Sequence, residues 1–269
     1  MRCLTLLAVS AAAVFAQIPA QNASGIGIGH VHLNSADPDA MKKIFVDVLG
    51  ATEGTSGSMK MLKIPGIDIM IFKAAPTGPS VGTTANHIGF ILQDYAAFKA
   101  KLTAAGIKIA TDLPQNKQML FDIGDGLRLE AFEDPAAKSP VQFHHMHLSV
   151  PDPEATRAWY VKMLGADIGS RRNLPSAMFP GGEVDFLKAN LPKDAPADAV
   201  AAAPTKGRSI DHIGFDVKDL KATLARLKAE GVTINSDLRD MTAQIGLKIA
   251  FITDPVGTYI ELTEGLAGK

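Results

Sequence analysis

Cysteine is almost missing from this sequence: its 269 residues contain one, Cys3. A disulfide framework, a cysteine-held zinc and a cysteine nucleophile are thereby excluded, so any metal has to be held by histidine, aspartate or glutamate. An excess of charge of one sign is missing too. The 27 basic and 28 acidic residues leave a net charge of -1, which gives no electrostatic footprint for nucleic acid or an anionic membrane. The apolar run Leu4 to Phe15 falls short of the ~20 residues a membrane-spanning helix needs. With Arg2 ahead of it and small residues in Val14-Phe15-Ala16 before Gln17, it reads as a secretory signal peptide over residues 1–16. The mature chain is then expected to be periplasmic or secreted, with no membrane attachment after cleavage. Gly25, Gly27 and Gly29 lack the spacing and following helix of a dinucleotide fingerprint.

What the chain does have is internal repetition. Gly29 to Leu33 resembles His144 to Leu148, and Asp37-Pro38, Leu49-Gly50 and Lys73 recur at one offset of 115 as Asp152-Pro153, Leu164-Gly165 and Lys188. Asn86 to Phe90 recurs as Asp211 to Phe215 at an offset of 125, so the Ala/Pro-rich stretch Leu191 to Lys206 reads as a lengthened loop. Each half divides again. His30, His87, His145 and His212 are each followed seven residues later by Asp37, Asp94, Asp152 and Asp219, and then by Gly50, Gly106, Gly165 and Gly231. Four copies of one unit are present, which is ample length for two domains.

Periodicity says what the unit is. Val31 and Leu33, Ile88 and Phe90, Met146 and Leu148, Ile213 and Phe215 alternate with the histidines, the mark of a strand buried on one face. The aspartates are helix N-caps, Pro38 and Pro153 suit a first helical turn, and the glycines suit helix ends. Met41, Ile44, Phe45 and Val48 follow helical spacing, as do Thr156, Trp159, Tyr160 and Met163. Short apolar runs at 60–64, 67–73, 118–123, 127–132, 182–188, 248–253 and 258–263 read as further strands, giving strand, helix and about three strands per unit.

On these four His-x6-Asp starts, the helix ends Val48-Leu49-Gly50 and Met163-Leu164-Gly165, and the run Asp254 to Glu261, the chain resembles the vicinal oxygen chelate superfamily. That superfamily includes glyoxalase I, extradiol dioxygenases and the bleomycin resistance proteins. The resemblance implies an α+β fold of four βαβββ modules paired into two curved mixed sheets, each cupping a divalent metal. The expected domains are 26–134 (modules 26–75 and 85–134) and 141–265 (modules 143–190 and 210–265). Carried over residue by residue, it implies a C-terminal site of His145, His212 and Glu261 with Asp185, and a possible N-terminal site of His30, His87 and Glu130, where Met70 takes the fourth place. Asp185 is then a proton shuttle beside Glu261 or a fourth ligand.

The residue types support this without the family. Imidazole and carboxylate suit Fe, Zn, Ni or Mn, and three protein ligands leave positions open for a substrate oxygen. His32 and His147 share the ligand face and are candidates for the pocket wall or for supporting hydrogen bonds, while His144 points the other way. Arg171, Arg172 and Lys188 read as exposed charge. Three functions follow for a small-molecule substrate. The first is a metal-dependent lyase or isomerase of glyoxalase type. The second is an Fe(II) extradiol dioxygenase, and the third is a binding protein that sequesters a small molecule. The sequence leaves open monomer or homodimer, the metal's identity, and whether one or both sites bind it.

Overall fold

The computed structural model describes residues 18–190 and 202–267. Residues 1–16, expected from the sequence to be a signal peptide, and most of the Ala/Pro-rich stretch Leu191 to Lys206 lie outside the described residues. Four βαβββ modules follow one another. The first comprises β1 (Ile26–Ser35), α1 (Pro38–Asp47), β2 (Thr52–Ser56), β3 (Met59–Ile64) and β4 (Ile67–Lys73). The second comprises β5 (Ala85–Leu92), α2 (Tyr95–Ala104), β6 (Lys108–Leu113), β7 (Gln118–Ile123) and β8 (Leu127–Glu133). The third runs β9 (Val141–Val150), α3 (Pro153–Leu164), β10 (Asp167–Arg171), β11 (Leu174–Phe179) and β12 (Gly182–Lys188). The fourth runs β13 (Ile210–Val217), α4 (Leu220–Ala229), β14 (Thr233–Met241), the single turn α5 (Thr242–Ile245), β15 (Leu247–Thr253) and β16 (Tyr259–Glu264).

Local chemistry starts and stops the helices as the repeat predicts. The carboxylates of Asp37, Asp94, Asp152 and Asp219 accept the backbone N–H of Ala40, Ala97, Ala155 and Ala222 at 2.8–3.1 Å, satisfying one of the free donors at each N-terminus. Gly165 closes α3 with φ 66°, a left-handed conformation that costs glycine little. Val31, Leu33, Ile88, Phe90, Met146, Leu148, Ile213 and Phe215 are buried in one continuous core with helix residues such as Met41, Phe45, Tyr160 and Leu224. That core lies on the helix side of both sheets, so the histidines of the same strands face the other way.

The sheets are two, of eight strands each, and their composition differs from the expectation of one cup per half. One has the order β14-β15-β16-β13-β1-β4-β3-β2 and the other β10-β11-β12-β9-β5-β8-β7-β6. The first module therefore pairs with the fourth, and the second with the third. The seams are antiparallel, β1 with β13 and β5 with β9. The physical reason the sequence misses this is degeneracy. The four opening strands carry the same alternating pattern, so their edges are interchangeable, and the connections decide which edges meet. The two crossovers between sheets run side by side and bond to each other: Thr77 N–H donates to Gly207 C=O at 2.8 Å, Thr84 N–H to Ala203 C=O at 2.9 Å, and Ala203 N–H to Gly82 C=O at 2.9 Å.

The first sheet curls until its two ends touch. At the tip between β2 and β3, Ser56 Oγ donates to Ile245 C=O at 2.5 Å and Ser58 N–H to Gln244 C=O at 2.9 Å, both acceptors lying in α5 beyond the opposite edge strand. Gly57 is required there, because a Cβ would lie 2.5 Å from the Gln244 carbonyl oxygen and the backbone φ is 56°. Among the described residues no helix is long and apolar enough to cross a membrane.

Candidate metal centres

Strand register builds each site. Across the first sheet, Asp68, His30, Gly214 and Glu261 form one row on β4, β1, β13 and β16. Glycine in that row is what lets histidine reach carboxylate. A Cβ on Gly214 would stand 2.1 Å from His30 Cε1, so the imidazole lies directly over the glycine. His30 Nε2 thereby comes within 3.0 Å of Glu261 Oε2. In the neighbouring row Met70, His32 and His212 are aligned, and His212 Nε2 lies 2.9 Å from the same carboxylate oxygen, with His32 Nε2 at 3.9 Å. His30, His32, His212 and Glu261 form one buried cluster able to hold a metal ion.

The surroundings tune these groups. His212 Nδ1 is bonded to Asp211 at 2.6 Å, the carboxylate–histidine pairing that orients metal-binding imidazoles. Burial pulls the His212 pKa down, but hydrogen bonds to Asp211 and Glu261 outweigh it and leave it raised. Burial pushes Glu261 up, yet the bonds from His212 and His30 hold it well below the usual carboxylate range. His32 is driven well below the ordinary histidine range, first by burial and then by His212 and His30; it is a neutral imidazole at pH 7. The Nδ1 atoms of His30 and His32 are buried without a hydrogen-bond partner, as is Asp68 Oδ1. Burial raises the Asp68 carboxyl to about 6. Above this floor stands an apolar wall: Met61, Met70, Leu247, Ile249, Ile18 and Leu266 pack together, with Met59, Met241, Ile245 and Phe251 against them.

The second sheet repeats the plan with different walls. Its row is Glu183, His145, Gly89 and Glu130, and a Cβ on Gly89 would meet His145 Cε1 at 1.9 Å. Glu130 Oε2 lies 2.9 Å from His87 Nε2 and 3.7 Å from His145 Nε2, while His147 Nδ1 lies 2.9 Å from His87 Nε2. These four residues form the second buried cluster. Burial raises Glu130, but hydrogen bonds to His145 and His87 take it far below the carboxylate range. Burial lowers His145 strongly and brings His147 to about 3 and His144 to about 4.

The histidines and glutamates expected from the sequence are thus all inside the two cups, but in a different grouping. His30 joins His212 and Glu261, and His87 joins His145 and Glu130, because the sheets cross the halves of the chain. Asp185 does not meet Glu261, since the two lie in different sheets; Asp185 is buried opposite His147, accepting from Ser176 Oγ at 2.6 Å. His32 and His147 sit within the clusters rather than outside them. Arg171, read as exposed charge, is a cup residue: its guanidinium lies 3.1 Å from Glu130 and 3.3 Å from Asp185. Only its place at the end of β10 and the curl that brings Glu130 and Phe132 of β8 to it put it there, which no local pattern announces. Arg172 and Lys188 are exposed, as expected.

The architecture and these sites define a two-sheet, four-module chelate fold, and the comparisons agree. The family model of the Glyoxalase/Bleomycin resistance protein/Dioxygenase superfamily matches residues 27–136 and again 142–262. The chain belongs to that superfamily. Glyoxalase I from Zea mays superposes with a TM-score of 0.65 at 15% identity, covering 89% of this chain and 92% of that one. A candidate dioxygenase from Bacillus subtilis superposes with a TM-score of 0.63 at 16% identity, covering 90% and 87%. These likenesses establish the fold. Comparison with curated protein sequences gave no match.

Proposed function

We propose that the protein is an exported, metal-dependent enzyme that moves a proton next to a carbonyl, in the manner of a glyoxalase-type lyase or isomerase, on a small molecule with two adjacent oxygens. The observation that carries this reading is the convergence of His30, His212 and Glu261 on one point of the first cup, beneath an apolar wall. The donor set fits a divalent Fe, Zn, Ni or Mn ion, because it is nitrogen and carboxylate oxygen with no thiolate, and Asp211 already orients one imidazole. Such an ion, when bound, polarises a carbonyl and steadies the negative charge that develops on vicinal oxygens. The Arg2 and Leu4 to Phe15 leader pattern supports export.

The chain's own residues supply the rest. His30, His212 and Glu261 would hold the ion, and the apolar wall would keep water from the reacting carbon, which strengthens every charge interaction at the floor. His32 is the proton carrier. It is a neutral imidazole whose Nδ1 is buried and unpartnered, and its Nε2 stands farther from Glu261 Oε2 than the nitrogens of His30 and His212 do. A side chain positioned to take up and return a proton in the transition state contributes typically 10²–10⁴-fold.

The test is deuterium exchange at the carbon beside the carbonyl in a panel of α-hydroxycarbonyl compounds, read together with metal content. His32→Gln is expected to retain the ion and lose about 100-fold or more in exchange rate. Loss of the ion in that variant would make His32 a ligand instead, and a metal-free wild type grown in metal-replete medium would remove the enzymatic reading. The two-histidine, one-carboxylate set also suits an Fe(II) dioxygenase. Oxygen uptake with catechols, in place of exchange, would favour that second reading.

A further inference from the structure

We propose that the second cup is not a metal centre: the guanidinium of Arg171 is its resident cation, and the protein carries one ion per chain, in the first cup. The two cups descend from one repeat, so their differences can be read position by position at the offset of 115 residues. Ser56, Met61 and Met70 in the first sheet correspond to Arg171, Ser176 and Asp185 in the second. Those three replacements are one connected network. Ser176 Oγ donates to Asp185 Oδ1 at 2.6 Å, and Asp185 Oδ2 faces Arg171 Nη1 at 3.3 Å. Arg171 Nη2 in turn reaches Glu130 Oε1 at 3.1 Å, and its Nε lies 3.8 Å from Glu183. The change is therefore coordinated, an arginine together with the carboxylate and hydroxyl that hold it.

The position of the guanidinium is what matters. Arg171 Nη1 stands 3.5 Å from His145 Nε2, the ring nitrogen that points at Glu130. Its side chain is 11% exposed and packs on the Phe132 ring at 4.8 Å. Gln118 donates to the same Glu130 oxygen at 2.9 Å. Oε1 of Glu130 is therefore occupied twice, by an amide and by a guanidinium. An arginine side chain has no lone pair to offer a metal and keeps its proton at any physiological pH. A divalent ion entering this cluster would face a fixed positive charge beside two of its four ligands, so the guanidinium has to leave before the ion can bind. The tight turn at Arg172 and Asn173, both with positive φ (46° and 70°), fixes the end of the hairpin that delivers it. In the first cup the same hairpin position is Ser56, whose hydroxyl turns away to the Ile245 carbonyl, so this hairpin delivers no guanidinium to the histidine cluster.

The experiment is a zinc titration of the whole protein after chelation, with bound metal counted by atomic emission. Wild type is expected to saturate at about one ion per chain. Arg171→Met is expected to saturate at about two, and the second ion should disappear again in the Arg171→Met, His145→Ala double variant. Arg171→Lys, which keeps a cation on a flexible stem, is expected to stay near one. Wild type saturating at two, or Arg171→Met gaining nothing while remaining folded by circular dichroism, would overturn the assignment. Should Arg171→Met fail to fold, the wild-type titration still decides between one ion and two. A wild type that binds none, with one ion gained in Arg171→Met, would uphold the role of Arg171 and refute the metal reading of the first cup, so the two failures are separable.

Discussion

Residues 18–138 prepared alone are expected not to form a folded monomer, although they contain two complete βαβββ modules. Cutting between β8 and β9 removes β13 from β1 and β9 from β5, which are the central seams of both sheets. Each opening strand then exposes a row of unpaired N–H and C=O groups on a long apolar edge, an arrangement that drives association. The isolated piece should therefore be a two-copy assembly or insoluble, while mixing it with residues 139–269 should restore a one-to-one complex. Light scattering on size-exclusion fractions and a single cooperative melt check this. A monomeric 18–138 piece with native circular dichroism would contradict the crossed pairing of modules.

The second large effect is expected from a single methyl group. Gly214→Ala places a Cβ 2.1 Å from His30 Cε1 and 2.3 Å from both ring nitrogens, far inside the ~4 Å at which apolar atoms touch. His30 is fully buried, so its ring has to be pushed off Glu261 and into packed surroundings. Overpacking of this kind costs about 1–3 kcal/mol. Metal binding suffers more, because displacing a ligand exceeds the 10–100-fold typical of losing a supporting hydrogen bond. Gly89→Ala makes the equivalent clash with His145 in the second cup. It is expected to cost similar stability and leave the ion count unchanged. Thermal melts paired with zinc titrations measure both quantities, and a Gly214→Ala protein that binds zinc as wild type does would refute the geometry proposed for the floor of the first cup.

Much of this architecture was legible in the sequence, for identifiable reasons. The opening strands and helices were readable because each carries a one-sided pattern and a cap, as with Val31 and Leu33 beside His30, and Asp37 ahead of Pro38. The outer strands β2, β6, β10 and β14 were not individually readable. They are exposed along most of their length, so no alternation marks them. The identity of the histidines and glutamates was readable from repetition, but their grouping was not. Grouping depends on which of four equivalent edges meet, and that is set by the crossovers at Thr77 to Thr84 and Ala203 to Gly207. The pairing of Asp185 with Glu261 expected from the sequence fails for the same reason, since the two lie in different sheets. Arg171 is hidden because an arginine at a strand end looks like any solvated charge until the curled sheet brings Glu130 and Phe132 of β8 against it. The roles of Gly89 and Gly214 were also out of reach, since nothing in one strand tells which ring will lie across it.

The most direct measurement is the metal content of His30→Ala and His145→Ala proteins purified side by side with wild type. The crossed pairing of modules, with Arg171 filling the second cup, predicts that His30→Ala loses the ion and that His145→Ala keeps about one per chain. An ion lost in His145→Ala and retained in His30→Ala would place the centre in the second cup, beside Arg171, and contradict the account.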